Sequence, residues 1–231
     1  MTTMAQPMPA APQAGRVAMP PKFGNGLQWI ESLGDVPLAR VIFDPWPGTA
    51  TEQDLLHFVE RDKRLCELID GTLVEKTVGF DEGQVATVLA TALANYVMPR
   101  RLGAVAGGDA TLRMASGRIR LPDVSFVAKA DVPSDYRRGT PVPRLPPTLA
   151  VEVLSEGNTA AEMRQKCREY FESGSKLVWL VDPPTRTVAI YTGPTAEPDR
   201  TLTDVDALDG GDALPGFTFP VADLFRDPFE P

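Results

Sequence analysis

The sequence predicts an α/β fold, a central mixed β-sheet flanked by helices. Three observations lead there. Two segments, Glu82 to Met98 and Ala160 to Glu172, carry apolar residues at helical spacing. Two short runs, Leu149 to Leu154 and Leu177 to Val181, are almost uniformly apolar, as strands buried on both faces are. A third region, Leu65 to Val78, reads as a β-hairpin about Asp70-Gly71. With 231 residues and 43% apolar content, the chain can build one well-buried core and is short for two.

The elements follow in order. Residues 1–25 are rich in Met, Ala and Pro and nearly uncharged, the composition of a disordered tail; residues 26–231 are expected to form a single domain. Asp44 to Gly48 is a turn cluster, and Thr51 with Asp54 has the pattern of a capping box opening a helix to Arg61. The hairpin pairs Leu65–Ile69 with Thr72–Val78. The long helix repeats Val85, Val88, Leu89, Ala92, Leu93 and Tyr96 at helical spacing, and Pro99 stops it. Strands are expected at Ala104-Val105, Ala110–Met114 and Ile119–Val127, punctuated by Gly107-Gly108 and Ser116-Gly117. A Pro-rich loop, Val132 to Pro147, leads to the apolar run at Leu149. After the second helix come Leu177–Val181 and Thr187–Tyr191, and the segment Leu214 to Phe225 is expected to cover the sheet.

Composition narrows the function. No apolar stretch approaches the ~20 residues that span a bilayer, and no signal-type block opens the chain, so no membrane partner is expected and cytoplasm is the default compartment. Cys66 and Cys167 stand far apart without CxxC spacing, which excludes a zinc knot and a disulfide framework; both read as small buried apolar residues. The one histidine, His57, lies on a surface helix beside Phe58 and Glu60, which argues against His-ligated zinc chemistry. Hydrolysis would then fall to carboxylates, lysine and a hard metal. The net charge of −8 opposes strong non-specific binding to nucleic acid, so any such role needs a local basic patch. Gly103 to Asp109 lacks the Gly-Lys-Ser/Thr of a P-loop, and no G-x-S-x-G elbow is present. Trp29, Trp46 and Trp179 are scattered and make no stacking platform for bases.

Two acidic residues interrupt apolar strands. Glu152 sits in the middle of Leu149–Leu154, where an isolated carboxylate is costly; it must be salt-bridged, protonated or metal-bound. Asp123 interrupts Leu121–Val127, where Asp is a poor strand former. It either satisfies backbone donors after Pro122 or serves a site. On adjacent strands, the two can converge on a cation such as Mg²⁺, which takes one or two carboxylates and can activate water on a phosphodiester. Glu162 and Lys166 follow on the next helix, with Thr159 and Glu162 as a capping box. Met163, Cys167, Tyr170 and Phe171 form the buried stripe, which puts Lys166 at its boundary with solvent. There it either reaches toward Glu152 or pairs with Glu162 on the surface. Glu67, inside Leu65–Ile69, and Glu82, on the inward face of the long helix, are further acids; a helix-dipole role explains Glu82 equally.

An ordered set of pieces extends this reading: Cys66 to Gly71, Leu121 to Ser125, Val151 to Ser155, then Lys166, Tyr170, Gly174, Trp179 to Pro183 and Leu214 to Phe217. Together they resemble the Uma-two family of restriction-endonuclease-like proteins, within the PD-(D/E)XK nuclease superfamily, over about residues 50–226. The resemblance implies a restriction-endonuclease-like core that hydrolyses DNA with Mg²⁺ or Mn²⁺, held by Asp123 and Glu152. The motif's lysine, two residues after Glu152, is Leu154 here, and the resemblance moves its role to Lys166. Glu82 stands where many members carry a histidine, as a third metal ligand. Arg137, Arg138 and Arg144, in the Pro-rich loop expected beside the site, are candidates for phosphate contacts. The acidic balance and the displaced lysine favour an alternative, a catalytically inactive nuclease-fold binding protein or dimeric accessory protein, either as a homodimer.

Overall fold

The computed structural model describes residues 23–77 and 79–229. The expected tail lies outside them as far as Lys22. Its last residue, Asn25, instead caps a short helix, α1 (Gly26–Ser32), accepting from the Gln28 N–H at 3.0 Å. The capping box of Thr51 and Asp54 forms and opens α2 (Glu52–Asp62). The hairpin is β1 (Cys66–Ile69) with β2 (Thr72–Glu75). Asp70 and Gly71 take φ of 48° and 75°, the left-handed backbone that a two-residue type I′ turn needs.

Helix α3 (Phe80–Arg100) runs past the expected stop at Pro99. A proline removes only its own N–H, and near the last turn that loss is small. The chain leaves the helix at Arg101, whose φ of 54° is a left-handed cap. Next come β3 (Gly103–Gly107), β4 (Leu112–Arg113), β5 (Ile119–Arg120) and β6 (Val124–Ala128). The strand expected over Ile119–Val127 is therefore two strands, and they belong to different sheets. Pro122 sits at the break, since it has no N–H to extend a ladder. Asp123 is left at the start of β6, where the chain passes from one sheet to the other.

The rest are β7 (Leu149–Val153), α4 (Ala160–Glu172), β8 (Leu177–Asp182), β9 (Thr187–Tyr191), β10 (Arg200–Leu202), β11 (Ala207–Asp209), β12 (Thr218–Pro220) and α5 (Val221–Leu224). The larger sheet has the order β10-β9-β8-β7-β6-β3. It is mixed because β7 and β8 are parallel, joined through α4, while its other neighbours are antiparallel. A smaller antiparallel sheet has the order β2-β1-β5-β4, and β11 pairs with β12.

Alternation along β7 divides the core. Leu149, Val151 and Val153 face α3 and the C-terminal segment, meeting Leu89, Leu93, Leu214 and Phe217. Trp179, fully buried, packs there with its ring 6.2 Å from that of Phe217. Ala150 and Glu152 face α4, with Met163, Cys167 and Tyr170. The far flank of α4 meets the smaller sheet, through Glu67 on β1 and Arg120 on β5. The helix is thus enclosed on two sides. Both cysteines are buried, as expected, and burial pushes each thiol up to about 12.

Replacing Gly71 by alanine should destabilise the fold by about 1–3 kcal/mol, because L residues resist its φ and the new Cβ would lie 2.6 Å from the Gly48 carbonyl oxygen. Urea unfolding checks this; an unchanged midpoint would contradict it.

Candidate active site

Antiparallel register brings the two strand acids together. Val124 on β6 faces Val151 on β7, so the next position outward sets Asp123 opposite Glu152. Both side chains lie on the α4 face of the sheet. The Asp123 carboxylate accepts the Val153 N–H at 2.7 Å through Oδ2 and lies 2.9 Å from Lys76 Nζ through Oδ1. Asp123 therefore does what an acid at the start of a strand can do for backbone donors, and faces Glu152 as well. Glu152 takes Lys166 Nζ at 3.0 Å on Oε2 and the Tyr170 hydroxyl on Oε1.

Lys166 lies within the core. It is 2% exposed, not at the boundary with solvent, because the smaller sheet covers the flank of α4 that the apolar stripe leaves uncovered. Its ammonium sits 3.0 Å from both Glu152 Oε2 and Glu67 Oε1, and so ties the two sheets together. Glu67 also accepts from Arg120 at 2.7 Å and from the Leu121 N–H at 3.2 Å. Arg120 continues to Glu169 at 2.7 Å, and Arg118 joins Glu169 to Asp70. Glu162 does not pair with Lys166 on a surface. It is fully buried and gripped by Arg40 through two contacts of 2.8 Å, so of its expected capping box only the Thr159 half forms.

The charges hold one another in place. Burial pushes the Glu67 carboxyl up, but Lys166 and Arg120 outweigh it and hold it well below the usual range. Burial likewise opposes ionisation of Glu162 and Glu169, and the arginines beside them win. Glu152 differs. Burial raises it, Lys166 works against that, Asp123 adds to it, and the carboxyl stays above its ordinary value. Lys166 is held protonated by Glu152 and Glu67 against the effect of burial.

Other expected residues lie apart. Glu82 is half-buried in the first turn of α3, its carboxylate folded back over Gly79. Among the described residues, no three His, Cys, Asp or Glu side chains converge as a metal cluster, so Glu82 does not complete a triad with Asp123 and Glu152. Arg137, Arg138 and Arg144 are exposed, and Arg137 donates to the Ser134 and Tyr136 carbonyls. Their loop joins the end of β6 to the start of β7. Because these strands are antiparallel, it leaves the sheet at the end away from Asp123, not beside it. His57 is exposed on α2. The residues that sequence reasoning passed over are Lys76, Arg40 and Arg120. Arg120 follows Ile119 inside an apolar stretch, the same signal that drew notice to Glu67, while nothing local marks Lys76 or Arg40.

The carboxylate pair suits a hard divalent ion in donor chemistry. Each carboxylate oxygen here has one hydrogen-bond or ion-pair partner and keeps a further lone pair, and Mg²⁺ is commonly held by two carboxylates with water and phosphate oxygens completing the shell. The Asp123 side chain, 16% exposed, is the accessible side of the pair. Beyond the end of β7 opens a cavity of about 530 Å³, lined by Thr77, Ser155, Asp81, Glu82 and Glu156 among others. No helix among the described residues is long and apolar enough to cross a membrane.

The whole is a mixed α/β core whose central sheet carries two facing strand acids, with a lysine from the crossover helix on one of them. The fold matches that of a protein from Anabaena variabilis described as a "putative nuclease", with TM-score 0.60 and 16% identity, over 71% of this chain and 90% of that one. Residues 52–222 match the Uma2 family, described as "Putative restriction endonuclease", and the chain belongs to that family. None of the curated proteins matches the chain significantly.

Two expectations follow from the buried charges. Lys166→Met strands Glu67 and Glu152 and should cost about 3–5 kcal/mol in urea unfolding, with Glu152→Gln added to it recovering part of the loss; a near-neutral single variant would contradict the network. Because the folded chain holds Glu162 and Glu169 below the ordinary range, the stability they contribute is complete above an unfolded value of about 4.3 and declines as pH falls below it. Stability should thus drop as pH falls below about 4.3, and Glu162→Gln should make that drop shallower. A slope identical to that of the unsubstituted chain speaks against it.

Proposed function

We propose that the chain is a metal-dependent endonuclease that hydrolyses DNA phosphodiester bonds, within a single domain over residues 26–231. The observation that carries this reading is the pairing of Asp123 and Glu152 across β6 and β7, on one face of the sheet, with Lys166 on Glu152. Asp123 and Glu152 would hold Mg²⁺ or Mn²⁺, which supplies Lewis-acid polarisation of the phosphate and activation of water.

The protein's own groups then have separate tasks. Asp123, the more exposed carboxylate, faces the reacting phosphate. Its orientation is set by the Val153 N–H. Glu152 is kept in position by Tyr170 and Lys166. Lys166 acts on the site through Glu152, opposing the effect of burial on that carboxyl, and fills at a distance the role that Leu154 cannot. Of the other acids, Glu67 serves the site by anchoring Lys166, and Glu162 by fixing α4 to Arg40. The cavity beside β7 has three acids and no base among its lining residues, so phosphate would enter only with its charge offset by a cation.

One observation favours the second reading, an inactive binding or accessory protein: every oxygen of the Asp123 and Glu152 carboxylates already has a protein partner. The two readings part in a single assay. Supercoiled, linear and single-stranded DNA are incubated with Mg²⁺ or Mn²⁺ and the wild type, Asp123→Ala or Glu152→Gln. The nuclease reading expects cleavage that needs the metal and falls by at least about 100-fold in either variant, as loss of a principal stabilising group does. Equal cleavage by wild type and Asp123→Ala would remove the assignment. Metal-independent inactivity in all three would leave the binding reading.

A further inference from the structure

Lys76 stands just beyond β2, in the other sheet from the carboxylate pair, yet its side chain ends within it. The side chain is 6% exposed. Its ammonium lies 2.9 Å from Asp123 Oδ1, 2.5 Å from the Leu121 carbonyl oxygen and 3.3 Å from the Gly108 carbonyl oxygen. One carboxylate and two backbone carbonyls form the kind of oxygen set that hard cations take. Gly108 makes the space: a Cβ there would come 3.2 Å from Lys76 Nζ and 3.5 Å from the Asp123 Cα. Asp123 Oδ1 keeps a second lone pair, but an ammonium and a divalent ion cannot both sit at this point, because two cations this close repel each other.

We propose that Lys76 is a resident counter-cation of the site, which occupies the Asp123 oxygen in the metal-free protein and must swing away when a divalent ion binds. The inference rests on the metal-site reading above and adds a regulatory element to it. Metal affinity is set by competition with a tethered amine, so the site is held in a charge-balanced, inactive form until the ion is abundant. Leu121 and Gly108 contribute carbonyls in either state. Lys166 cannot play this part, since Glu67 and Glu152 hold it from both sheets.

Mn²⁺ titration of the full-length chain, followed by paramagnetic resonance of the free ion, tests the competition. Lys76→Met should bind at least about ten-fold more tightly than wild type, whereas Lys76→Arg, which keeps the charge, should not. In the wild type, where folding is not at issue, reductive methylation read by peptide mass spectrometry should label Lys76 several-fold faster once Mn²⁺ is added. Binding by Lys76→Met that equals or falls below wild type, or labelling of Lys76 that Mn²⁺ leaves unchanged, overturns the proposal while leaving the metal site standing. Absence of Mn²⁺ binding in wild type and both variants overturns the metal site and this proposal together.

Discussion

The enclosure of one helix between two sheets governs the rest of this structure. Helix α4 carries Glu162, Lys166 and Glu169 along a flank that an isolated amphipathic helix would leave in water, and the smaller sheet removes that water. Ionised groups in such a place persist only when each meets an opposite charge in good geometry. Arg40, Glu67, Glu152 and Arg120 meet that demand from four different elements. The charged layer is therefore a condition of the fold as much as a feature of a site, and the position of Glu152 is inseparable from the packing of β1 and β5 on α4.

A single proline shapes the other half of the pair. By interrupting the ladder between β5 and β6, Pro122 lets the chain change sheets and leaves Asp123 at the crossing. The acid then faces Glu152 on one side and Lys76 with Gly108 on the other. Sites placed where sheets or domains meet gain convergent groups from distant parts of the chain, and here the contributions span residues 67 to 170.

The chain belongs to the Uma2 family and shares its fold with a protein described as a "putative nuclease". Leu154 stands two residues after Glu152, and the ammonium that reaches Glu152 comes instead from Lys166 on α4, buried and held on two carboxylates. The acidic overall balance and the acid-lined cavity next to β7 imply that cations mediate any approach of a polyanion.

The local elements were legible in the sequence because their causes are local. The Asp70-Gly71 turn, the Thr51 capping box and the span of α4 follow from backbone preference and periodicity within a few residues. The prominence of Asp123 and Glu152 follows from the cost of charge in apolar strands, and the same test applied to Ile119-Arg120 would have found Arg120. The sequence by itself thus determined most of the helices and strands of the core, and the acids that had to find partners. Which partners they found was decided by tertiary structure alone. Lys166 became buried because a second sheet covers it, Lys76 reached Asp123 across a sheet boundary, and the arginine loop left from the far end of antiparallel strands. Contacts between residues far apart in the chain depend on how the layers stack, and no local pattern encodes that.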